Sequence, residues 1–75
     1  MKNATVIKAR IEKNAHEMRE INSRLADYEE KLKNPKISPR EYRDLANARI
    51  YSFVRFDEIQ RKNAELYKKL AVAGC

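Results

Sequence analysis

The segment Asn34-Pro35-Lys36-Ile37-Ser38-Pro39-Arg40-Glu41 decides the fold. Pro35 has no amide hydrogen and pushes Asn34 away from helical geometry, so a helix arriving from the N-terminal side must end before it. Ser38 suits an N-cap, Pro39 suits the first helical position, and Glu41, three residues after Ser38, completes the spacing of a capping box. The eight residues therefore read as a stop, a turn and a fresh start.

On either side lies a long stretch with apolar residues at alternating steps of three and four. Before the turn these are Ala4, Ile7, Ile11, Met18, Ile21, Leu25, Tyr28 and Leu32, with Asn14 taking one place in the series. After it come Tyr42, Leu45, Phe56, Ile59, Leu66, Leu70 and Ala73, with Arg49, Ser52 and Asn63 as polar members. That spacing places each set on one face of a helix. The expected organisation is a single domain over 1–75: helix one over about 4–33 with Asn3 as its N-cap, a turn at 34–38, and helix two over about 39–72 with Gly74 as the stop.

A short linker between two rods of similar length makes them antiparallel. Folding about the turn pairs positions whose numbers sum to about 73 or 74, so Leu32 is expected to meet Tyr42, Tyr28 to meet Leu45, Met18 to meet Phe56, Ile7 to meet Leu66 and Ala4 to meet Leu70. All five layers are apolar on both sides. The fold class is thus an all-α antiparallel two-helix hairpin, coiled-coil-like. Two helices side by side leave half of each surface wet, and helices of this kind take most of their stability from packing, so self-association into a helical bundle is expected, in its simplest form a dimer making a four-helix bundle.

Composition narrows the class. One glycine and two prolines exclude collagen-like and linker-like chains, and a charged fraction of 37% excludes a membrane-spanning one. The segment Met1 to Lys8 has no apolar run of secretory length, which gives an expectation of a cytoplasmic protein, and Cys75 reads as a free terminal thiol with an intermolecular disulfide as the alternative. Seventeen basic and eleven acidic side chains leave a net charge of +6, pointing either to an anionic partner or to a merely soluble surface. Lys31, Lys33, Lys36, Arg40 and Arg43 against the single Glu41 make the turn end basic.

Catalysis finds no footing. One histidine, one terminal cysteine and no glycine-rich loop assemble neither a metal site of ordinary ligand count nor a nucleophilic triad, so no enzyme activity, metal or cofactor is expected. His16-Glu17-Met18-Arg19-Glu20 lacks the second histidine of a helical zinc motif, and His16 falls opposite the seam, where it faces solvent. Arg55, Glu58, Lys62, Glu65 and Lys69 read as an outward stripe of surface ion pairs.

Four other features call for partners. Lys36, Arg40 and Arg43 lie at the start of helix two with Tyr42 among them; guanidinium forks, a helix N-terminus and an aromatic suit a nucleotide or nucleic acid, although Tyr42 is also a seam residue. Arg49 sits in the seam opposite Leu25, where it needs Asp27, Glu29 or a partner subunit's carboxylate, or else lines a shared cavity for an anion. Ile50, Tyr51, Phe53, Val54 and Phe56 make helix two apolar nearly all round; helix one can cover only the face with Phe53 and Phe56, and the candidate interface for an oligomer or for docking of another protein is Ile50, Tyr51 and Val54 together with Phe53. Asn14 and Asn63, each within a Lys-Asn-Ala tripeptide, are placed to select register or oligomer state.

In architecture the chain is similar to the plasmid repressor-of-primer family, whose helical hairpins dimerise as four-helix bundles and bind paired RNA loops. Leu25, Tyr28, then Ile37-Ser38-Pro39-Arg40-Glu41, Leu45 and the stretch Ile50 to Ile59 followed by Arg61 and Lys62 resemble the small phage proteins that sequester cyclic oligonucleotide messengers of the CBASS antiviral system. That resemblance covers about half the chain, and Arg49 and Ser52 depart from it. It implies an oligomer whose ligands sit between subunits, with basic and aromatic residues from more than one chain. The expected function is a non-enzymatic oligomer binding an anionic cyclic nucleotide or nucleic acid, an anti-defence sponge of a phage in the host cytoplasm. The alternatives are an adaptor or inhibitor docking on a host protein through mid-helix two, and a purely structural assembly module.

Overall fold

The computed structural model describes the backbone of residues 2–73 and the side chains of 4–73. It contains two helices, α1 (Lys2–Leu32) and α2 (Pro39–Ala73), packed along their lengths. The molecule is a rod of 56 × 14 × 13 Å with a radius of gyration of 17.0 Å. A compact chain of this length would have a radius of about 11 Å. α1 begins at Lys2, so Asn3 is a helical residue and not the expected N-cap; Gly74 and Cys75 lie outside the described residues.

The turn forms as its residues dictate. Lys33 N–H donates to Glu30 O and Asn34 N–H to Lys31 O, both at 3.2 Å, tightening the end of α1. Asn34 Oδ1 then accepts from Lys36 N–H at 3.0 Å, and Ile37 N–H donates to Asn34 O at 3.2 Å. An asparagine that bonds the backbone two residues on holds the bend without a glycine. Ser38 Oγ accepts from Glu41 N–H at 3.1 Å, the serine arm of the capping box, and Tyr42 N–H donates to Ser38 O at 2.9 Å as the first helical bond.

The core is narrow. Ile21, Leu25 and Ile59 form it, with Met18, Tyr28 and Phe56 packed around them, and Ile11 is buried further along. The antiparallel register agrees with the expected sum: Met18 and Phe56 flank the same cluster, Glu17 reaches Arg55, and Asn63 reaches Ile11.

Several side chains sit elsewhere than the periodicity placed them. Tyr42 and Phe53 are both 51% exposed, so neither is a covered seam residue. At roughly 100° per residue both point to the flank of α2, where α1 only partly reaches. Arg55, expected on the outward stripe, is half-buried and crosses to Glu17 at 3.1 Å while also holding Glu58 at 3.5 Å. Arg49 is half-buried and has no carboxylate among the described residues; Asp27 is taken by Lys31 at 3.1 Å. His16 faces solvent as expected and pairs with Glu20 at 2.8 Å.

Candidate functional site

The two seam asparagines bind each other. Asn14 Nδ2 donates to Asn63 Oδ1 at 2.8 Å, and Asn63 Nδ2 donates to the Ile11 carbonyl at 3.4 Å. Asn63 is only 8% exposed and Asn14 half-buried, so the bonds offset the desolvation of two amides inside an otherwise apolar seam.

On the two sides of the hairpin the grooves between α1 and α2 differ in chemistry. One is lined by Ala15, Met18, Arg19 and Asn22 from α1 and by Phe56, Gln60, Ala64 and Tyr67 from α2, with little charge. The other is charged: Arg10, Lys13, His16, Glu17 and Glu20 face Arg55, Lys62, Glu65, Leu66 and Lys69. Its acids are already partnered, Glu17 by Arg55, Glu20 by His16 and Arg24, and Glu65 by Lys68. Arg10, Lys13, Lys62 and Lys69 have no ion-pair partner among the described residues. Towards the chain ends Arg10, Leu66 and Lys69 also line a second, apolar hollow with Val6, Ile7 and Val72. Four free cations from two helices beside an apolar wall can hold phosphate or carboxylate groups while an uncharged body packs alongside.

The sequence placed the anion site at the turn. There Lys36, Arg40, Tyr42 and Arg43 are all exposed and line neither of the two grooves nor the hollow towards the chain ends. On α2, Arg40 and Arg43 lie roughly 60° apart about the axis, while Tyr42 and Arg49 project from the flank, so the five residues do not converge on one surface. The groove cations were missed because they are remote in sequence; the antiparallel sum that pairs Arg10 with positions near 63 was the signal that could have found them. Charge along the rod follows the same division. Residues 4–13 with 62–73 carry +4, residues 31–43 carry +4, and the middle, 14–30 with 44–61, carries −3.

Ile50, Tyr51 and Val54 are 59%, 73% and 53% exposed on the back of α2. Tyr51 also borders the charged side with Ala48, Ser52 and Arg55. Among the described residues no group of three or more His, Cys, Asp or Glu side chains could hold a metal ion, and no helix is long and apolar enough to cross a membrane.

The fold and surfaces define a basic, antiparallel α-helical hairpin with one apolar and one cationic groove. Comparison with protein-family profiles, curated proteins and solved structures finds no match for the chain.

Proposed function

We propose that the protein is a non-enzymatic, self-associating binding module for an anionic ligand of the nucleotide or nucleic-acid class. The observation that carries this reading is the convergence of Arg10, Lys13, Lys62 and Lys69, all without ion-pair partners among the described residues, in one groove between the helices. The basic turn, with Lys36, Arg40 and Arg43, supplies a second cationic end. Two basic ends separated by an acidic middle on a 56 Å rod suit a long polyanion touched at both ends better than a single mononucleotide. The resemblance to the phage sponges makes a cyclic oligonucleotide the small ligand to test beside it.

Fluorescence anisotropy with labelled single-stranded RNA, single-stranded DNA and a cyclic dinucleotide tests the reading across a salt series. Neutralising two phosphate contacts by Arg10→Ala with Lys62→Ala should lower the slope of log affinity against log salt by about 1.4 for the single-stranded polymers. Arg40→Ala with Arg43→Ala measures the turn's share. Binding of every ligand that ignores both double variants, or no binding at low salt, sinks the proposal.

A second reading is favoured by the exposure of Ile50, Tyr51 and Val54. In it the back of α2 docks on a host protein, and Val54→Asp abolishes capture of that protein while the mass of the assembly stays unchanged. A purely structural module would show neither ligand nor partner.

A further inference from the structure

We infer that the apolar groove is the seat of a second copy of this chain, packed antiparallel through α2 about a two-fold axis that passes between Phe53 and Phe56. The inference rests on the self-association reading above and names its face and register.

Three observations carry it. The first is surface. The chain exposes 6223 Å², whereas a compact monomer of its 8.9 kDa mass exposes about 4,800 Å². The surplus, about 1,400 Å², exceeds the roughly 800 Å² that each partner buries in a standard interface and falls within the range of obligate dimers.

The second is a heptad series on α2 that shares Tyr42, Arg49, Phe56 and Asn63 with the one facing α1 and widens it to the flank through Ala46, Phe53, Gln60 and Tyr67. Tyr42, Ala46, Arg49, Phe53, Phe56, Gln60, Asn63 and Tyr67 recur at steps of four and three without a break. Phe53, Tyr42 and Tyr67 are its exposed aromatics, and Phe56, Gln60 and Tyr67 line the apolar groove. Such a series is the pattern of a helix with neighbours on two sides.

The third is self-complementarity. A two-fold contact requires that residue i meet j while j meets i. Pairing positions whose numbers sum to 109 sets Tyr42 against Tyr67 of the second copy, Phe53 against Phe56 and Arg49 against Gln60, all within the same stripe. Arg49, which has no carboxylate partner among the described residues of its own hairpin, gains the Gln60 amide oxygen there, with Asp57 of the second copy one turn away. Ile50, Tyr51 and Val54 lie on the other side of α2 and stay outside this contact.

Light scattering after gel filtration, with far-ultraviolet circular dichroism on the same samples, tests the face. The wild-type chain should run at twice 8.9 kDa; Phe53→Glu should halve that mass with its helix signal retained, and Val54→Asp should leave it unchanged. A wild-type monomer, a dimer that survives Phe53→Glu, or dissociation by Val54→Asp alone overturns the inference. A register test does not depend on those variants folding alone. In a Cys75→Ser background, chains carrying Tyr42→Cys and Tyr67→Cys under different tags should form the mixed disulfide in excess of either like pair. A preference for like pairs overturns it. Anion binding is read separately from the salt titration, so loss of the dimer and loss of the ligand site are distinguishable.

Discussion

Replacing the seam asparagines by leucine, singly and together, should give an order of stabilities that simple hydrophobicity does not. Asn63 is nearly buried and engaged at both ends of its amide, to Asn14 and to the Ile11 carbonyl. Asn63→Leu gains about 2 kcal/mol from burying an aliphatic side chain. It loses hydrogen bonds and leaves the half-buried Asn14 amide unpaired, at about 1 to 3 kcal/mol. The net effect is close to zero. Asn14→Leu should destabilise by about 1 kcal/mol, because the Oδ1 of Asn63 is left without a donor and water reaches it poorly. The double variant strands no amide and buries two apolar side chains, for a net gain of about 1 to 2 kcal/mol. The coupling between the two sites is therefore about 2 kcal/mol. Urea and thermal unfolding followed by circular dichroism read it at one fixed chain concentration, since association adds to apparent stability. For a chain of this size about 1 kcal/mol corresponds to a Tm shift of about 4–8 °C. Double-variant values that equal the sum of the singles within about 0.5 kcal/mol would mean that the two amides do not depend on each other, because independent sites behave that way.

Other expectations follow from single contacts. Ile59, 1% exposed at the centre of the core, should cost about 2–5 kcal/mol as Ile59→Ala but only about 0.5–1.5 as Ile59→Val, and similar small Tm losses for both would show that the core lies elsewhere. Ser38→Ala should cost about 1 kcal/mol through loss of the bond from Glu41 N–H, whereas Ser38→Asp should retain most of it; equal losses for the two would mean that the cap does not hold the turn.

How much of the hairpin was legible differs from residue to residue. Ser38, Pro39 and Pro35 announce the helix boundaries because their chemistry is local: a missing donor, a fixed φ and an oxygen placed for a nearby amide. The Met18 and Phe56 layer was legible for a different reason, since a rod folded once about a known turn has one antiparallel register. Phe53 and Tyr42 were misplaced because heptad position alone does not say how wide a strip a single neighbouring helix covers. Arg55 was misplaced because its long side chain bends across the groove to Glu17, a choice made by the partner's position and not by its own place on the wheel.

The two helices, their junction and their antiparallel alignment follow from backbone chemistry and from periodicity over tens of residues, both of which are written in the order of the amino acids. Packing settles which cations lack an ion-pair partner among the described residues, that Asn14 bonds Asn63, and that one groove is apolar while its opposite is charged. Those properties depend on side chains brought together from positions about 50 residues apart, Asn14 and Asn63 being 49 apart, and distances of a few ångströms between them are fixed by packing, which no local pattern encodes.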